Sequence, residues 1–150
     1  MKILALDPAT RCGYFHSDGI GGTWDLSVKR DESSGMRLIR LRGKLNEIRD
    51  TLGVDLVVFE SARNAKFAGT VRVLGEILGL VAVWCADNAI EHRGYSPMEI
   101  KKFATGKGNA SKEQMVDAYE RIVKRPVEDS ENDMVDAWWL LQLAKKEYAA

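Results

Sequence analysis

Two cysteines, three prolines and two histidines are all that 150 residues contain of these types. Cys12 and Cys85 could pair in principle, but two thiols in a chain this size fit a reducing cytosol better than a disulfide scaffold. No CxxC motif or Cys/His cluster occurs, which argues against a structural zinc. Net charge is also missing: 22 basic side chains balance 22 acidic ones. Bulk charge therefore says nothing about a nucleic-acid partner. Long apolar runs are scarce. The run before Asp7 is too short for a signal peptide, and Ile77–Ala86, interrupted by Gly79, is too short to span a bilayer. These absences lead to the expectation of a soluble, cytoplasmic protein with no membrane partner.

What is present is an ordinary core-forming composition, 45% hydrophobic, enough for one domain over residues 1–150. Residues 2–7, 12–17 and 23–28 read as three short strands joined by turns at Asp18-Gly19 and Gly21-Gly22. Residues 34–52 carry apolar positions at helical spacing and stop at Gly53. The run 54–59 is β-branched and apolar, so it reads as a buried strand ending at Glu60. A strongly apolar helix is predicted from Phe67 to Asn88, and a fifth strand over 89–95. Pro97 opens a short helix. Ser111 with Gln114 is a capping-box pair for the next, and Ser130 with Asp133 offers a start for the last. The order β-β-β-α-β-α-β-α-α-α predicts an α/β fold. Its mixed five-stranded sheet has three antiparallel strands, then two parallel ones entered by right-handed crossovers, and helices on both faces.

Charge is unevenly distributed. Between Glu91 and Arg125 stand eight bases against five acids, and between Glu128 and Asp136 five acids and no base. A basic surface beside a tight acidic cluster suits a metal-dependent nuclease, with lysines for phosphates and carboxylates for metal. Asp7 directly follows ILAL and Glu60 directly follows LVVF. Two acids that each end a buried strand can lie side by side if the strands are neighbours. Such carboxylates repel unless a cation neutralises them. Asp133 and Asp136, three apart, share one face of the last helix. Four carboxylates round one point can hold two Mg²⁺ or Mn²⁺ ions, the arrangement of two-metal phosphoryl chemistry. Taken singly, each acid also fits a duller role as turn residue, strand-end surface residue or helix-dipole partner. His16 in a short strand reads as a structural histidine rather than a ligand.

Four segments in order resemble the RuvC family of Holliday-junction resolvases, from residue 3 to about 144. They are ILALDPATRCGYF, VVFESARNAKFAGTVRVLGEILGLV, SPMEIKKFATGKGNASKEQM and DSENDMVDAWWLLQLA. The resemblance implies an RNase H-like fold and a Mg-dependent endodeoxyribonuclease that resolves four-way junctions or other branched DNA. It implies four catalytic acids at Asp7, Glu60, Asp133 and Asp136, and a lysine near the scissile phosphate at Lys112. It implies a homodimer formed through the long helix, about Val71–Val83. Arg63, Lys66, Lys101, Lys102 and Lys107 are candidates for further contacts to the DNA backbone, which set affinity rather than sequence choice. Two departures stand out: Ala9 where the family usually has Gly, and no aromatic near Arg63, the first being Phe67. A bacteriophage-type variant with broad activity on branched DNA fits this pattern. Three other readings are an RNase H-like nuclease acting on RNA or flaps, a non-catalytic junction-binding protein, and an actin-like phosphotransferase. The last needs two such domains.

Overall fold

A computed structural model describes residues 1–61 and 68–149. Five strands form one sheet: β1 (Ile3–Asp7), β2 (Arg11–His16), β3 (Gly21–Asp25), β4 (Leu56–Glu60) and β5 (Glu91–Tyr95). Their spatial order is β3-β2-β1-β4-β5. The first three pair antiparallel, while β4 and β5 join parallel to β1 and to each other. The helices are α1 (Gly35–Leu52), α2 (Ala68–Asp87), α3 (Pro97–Thr105), α4 (Lys112–Val123) and α5 (Asn132–Tyr148). This is the mixed five-stranded arrangement expected from the element order.

Alternation along the strands sorts side chains onto two faces. Ile3, Ala5, Leu56 and Val58 pack with α5, whose Val135, Trp139, Leu140 and Ala144 form the heart of one core. Leu4, Leu6, Cys12 and Val57 point the other way, into a second core with Leu41 and Leu45 of α1 and Ile77 and Val81 of α2. His16 is fully buried on that side. Its Nδ1 accepts the Asp18 N–H at 3.0 Å, so Nε2 donates to the Gly53 carbonyl at 2.8 Å. The ring joins β2 to the end of α1, a structural role as expected.

Three expectations need correction. The third strand covers Gly21–Asp25 rather than 23–28. Gly21 and Gly22 are strand residues, not a turn, because the Phe15 and Tyr14 rings of β2 lie across them. A Cβ at Gly21 would stand 2.2 Å from the Phe15 ring. Ser130 does not cap the last helix. It lies inside a 3-10 turn, Asp129–Glu131, where Glu128 and Glu131 form the reciprocal cap. Finally, α2 is by length and composition apolar enough to cross a membrane, which the reading of Ile77–Ala86 had excluded. Ile77, Val81, Trp84 and Cys85 of this helix are nonetheless buried in the second core.

Candidate active site

Register brings the first two carboxylates together. Leu6 pairs with Phe59 across the parallel β1–β4 ladder, so Asp7 and Glu60 stand one step further along adjacent strands. Asp7 continues the Ile3, Ala5 face and Glu60 the Leu56, Val58 face. Both acids therefore project to the side that α5 covers. The first turn of α5 delivers Asp133 and Asp136 to the same place.

Close approach of α5 depends on Gly13, which sits opposite Asp7 on β2. A Cβ there would lie 1.9 Å from the Asp133 carbonyl oxygen and 2.5 Å from its carbon. Only glycine lets the helix start that close to the sheet. Sequence reasoning treated Gly13 as part of a motif and did not give it this task. Arg11, two residues earlier on the same strand face, was also missed. Its Nε is 3.4 Å from Asp133 Oδ2. Strand alternation puts both residues on one face of β2, and the Asp7–Gly13 register puts that face on the Asp7 side.

The electrostatics record the crowding. Burial pushes Asp7 well above the ordinary carboxylate range. The charges of Glu60 and Asp136, a hydrogen bond with Glu60 and the charge of Asp133 add to the rise. Asp136 is pushed up to about 6, first by burial and then by Glu60, while Lys112 offsets part of the rise, Asp133 adds to it and Lys101 opposes it. Uncompensated like charges in a partly buried setting demand a counter-cation. Oxygen-only donors of this kind suit a hard divalent ion. Among the described residues, no three Asp, Glu, His or Cys side chains are arranged to hold a metal as they stand. The carboxylates are thus near enough to repel, but must turn inward to share one ion. Cys12, next to Gly13 on the opposite face, is a buried thiol pushed up to about 12 by burial and by Asp7. It is unsuited to act as a nucleophile.

A cavity of about 240 Å³ opens beside the acids, lined by Glu60, Pro97, Ile100, Lys101, Lys112, Met115 and Asp136. Lys112 is the first residue of α4, after the Ser111 cap that accepts the Gln114 N–H at 3.1 Å. Lys101 reaches the cavity from α3, whose start is fixed by a Ser96–Glu99 capping box. Two carboxylates and two lysines thus line one cavity, a set in which the acids can hold a divalent cation and the lysines a phosphate. Lys107 stands apart in a separate hollow with Thr105, Gln114 and Arg121. Lys102 is exposed on α3 and lines neither cavity. Arg63, Lys66 and Phe67 lie outside the described residues.

The chain is 28% identical over 144 residues to the crossover junction endodeoxyribonuclease RuvC of Natranaerobius thermophilus, covering 91% of this chain and 89% of that one. It is 27% identical over 145 residues to the protein of the same name from Mycolicibacterium smegmatis, covering 91% and 78%. The fold matches Thermus thermophilus RuvC in complex with Holliday junction substrate, with TM-score 0.80 and 20% identity over 99% of this chain and 94% of that one. It also matches the yeast mitochondrial Holliday junction resolvase, with TM-score 0.65 and 15% identity over 97% and 80%. The sequence profile of crossover junction endodeoxyribonuclease RuvC matches residues 3–141, and this chain belongs to the RuvC family.

Proposed function

We propose that this chain is a structure-selective endonuclease that hydrolyses phosphodiester bonds in four-way DNA junctions and related branched DNA. The observation that carries the reading is the gathering of Asp7, Glu60, Asp133 and Asp136 on one sheet face, beside a cavity walled by Lys101 and Lys112. Asp7, Glu60, Asp133 and Asp136 would hold Mg²⁺, with Mn²⁺ able to substitute, as two ions per centre. Such ions, when bound, make an attacking water more acidic and offset charge on the leaving 3′ oxygen. The protein does the rest by position. Lys112 meets the scissile phosphate at a helix N-terminus, where free backbone N–H groups also favour an anion. Lys101 holds the same strand from α3, and Lys102 and Lys107 contact neighbouring phosphates. These contacts orient the backbone without reading bases.

The reading includes a homodimer through α2, acting in the cytoplasm of a bacterial or phage-infected cell. Val71 and Val83 are 53% and 59% exposed on a helix with few charges. Two centres in one dimer could nick two strands of a junction as a pair.

The test is cleavage of a synthetic four-way junction with Mg²⁺ and with EDTA, beside flaps and RNA hairpins. Metal-dependent paired nicks in the junction support the reading. An intact junction with cut RNA assigns the fold to another substrate. Binding without cleavage under any metal makes the chain a non-catalytic junction binder.

A further inference from the structure

Arg11 and Gly13 occupy one face of β2, and both meet Asp133. Gly13 lets the main chain of Asp133 press onto the strand. The side chain of Asp133 turns to Arg11, with Nε to Oδ2 at 3.4 Å. Among the described residues, Asp133 is alone of the four acids in having a cationic side chain within 4.0 Å. The backbone of Asp133 is thus held against β2 while its carboxylate is drawn to Arg11.

We propose that Arg11 is a positioning residue that competes with the divalent cation for Asp133. It parks this carboxylate at the rim of the acid cluster and yields it when metal enters. The proposal rests on the metal-centre reading above and adds a residue that sets how readily the centre loads. Its energetics are suitable for exchange. Arg11 is 58% exposed, so the pair is weak and opens easily. A divalent ion among several carboxylates gains more than a single guanidinium at the edge. The competition also fixes the sign of a mutation. Removing a support loosens a metal site, whereas removing a competitor tightens it.

The experiment is calorimetric titration of Mn²⁺ into the full, metal-stripped chain without DNA, for wild type, R11Q, R11K and D7N. Thermal midpoints in EDTA are measured alongside. R11Q should bind Mn²⁺ about fivefold to tenfold more tightly than wild type, the effect of removing one nearby positive charge. R11K, which keeps the charge, should stay within about twofold of wild type. D7N should lose most uptake. Unchanged or weaker binding in R11Q, with wild-type uptake abolished in D7N, overturns the role of Arg11 and leaves the metal centre standing. Tighter binding in R11K equal to that in R11Q also overturns it, since charge would then not be the cause. No uptake by wild type, or uptake that survives in D7N, overturns the metal-centre reading and this proposal together.

Discussion

On one face of the sheet α5 buries eight of its 17 residues; on the other α2 buries four of its 20. Yet α2 is the more apolar helix, with Arg72, Glu76 and Asp87 as its charged residues. Apolar composition and burial therefore run in opposite directions here. The α5 face is closed by the chain itself, and the first turn of α5 brings Asp133 and Asp136 to Asp7 and Glu60. Among the described residues, the α2 face leaves Val71 and Val83 exposed. On the proposed reading, one side of the sheet would hold the chemistry and the other would serve assembly.

The largest expected effect tests the chemical side. Asp7→Asn should lower single-turnover cleavage of a four-way junction by about a thousandfold or more, while junction binding in a gel-shift assay stays near wild type. Cleavage near the wild-type rate would remove Asp7 from the mechanism. Next, Gly13→Ala should destabilise the fold by about 3 kcal/mol, because its methyl meets the Asp133 backbone at 1.9 Å. Thermal melting reads this as a fall of about 6–12 °C. The matching control is Gly79→Ala on α2, where a Cβ meets nothing within 4 Å. That change should be neutral or stabilise the helix by up to about 1 kcal/mol. Equal losses at both positions would erase the distinction between the faces.

Assembly comes third. Val83→Glu should weaken self-association by about tenfold or more in sedimentation, leaving single nicks but uncoupling paired ones. An unchanged oligomeric state would detach α2 from assembly. The smallest effect is one of pH. Asp136 rises from 3.8 to about 6 in the folded chain, so the native state holds this proton more tightly than the unfolded one. Its contribution to stability therefore declines as pH climbs from about 4 through about 6, and Asp7 acts in the same direction. In EDTA at pH 7.5, Asp136→Asn should stabilise the protein by about 1–2 kcal/mol, a range reduced for partial exposure. With Mg²⁺ present the advantage should vanish or reverse. Urea titrations in the two buffers check it.

Much of this comparison was legible in the sequence, for identifiable reasons. Asp7 and Glu60 each end an apolar run, and the split into three antiparallel and two parallel strands followed from element order, although which strands are neighbours did not. Ser111 with Gln114 marked the start of α4 because a capping box is local in sequence. Ser130 misled for the same reason. Its spacing to Asp133 mimics a cap, but Ser130 lies inside a 3-10 turn and α5 starts without a side-chain cap. Gly21 and Gly22 read as a turn because nothing local reveals aromatic rings lying across them from β2. Arg11 and Gly13 were not read as site residues because both act on Asp133, more than a hundred positions away. The exposure of α2 was implied by the family resemblance rather than by periodicity, which does not say which apolar face finds a neighbour.

The most direct test is anomalous diffraction from crystals soaked in Mn²⁺. The account predicts density about 2.1 Å from carboxylate oxygens of Asp7, with Glu60, Asp133 or Asp136 completing the shell. A fully soaked crystal with no peak at Asp7, or with its peaks on another part of the surface, would contradict it.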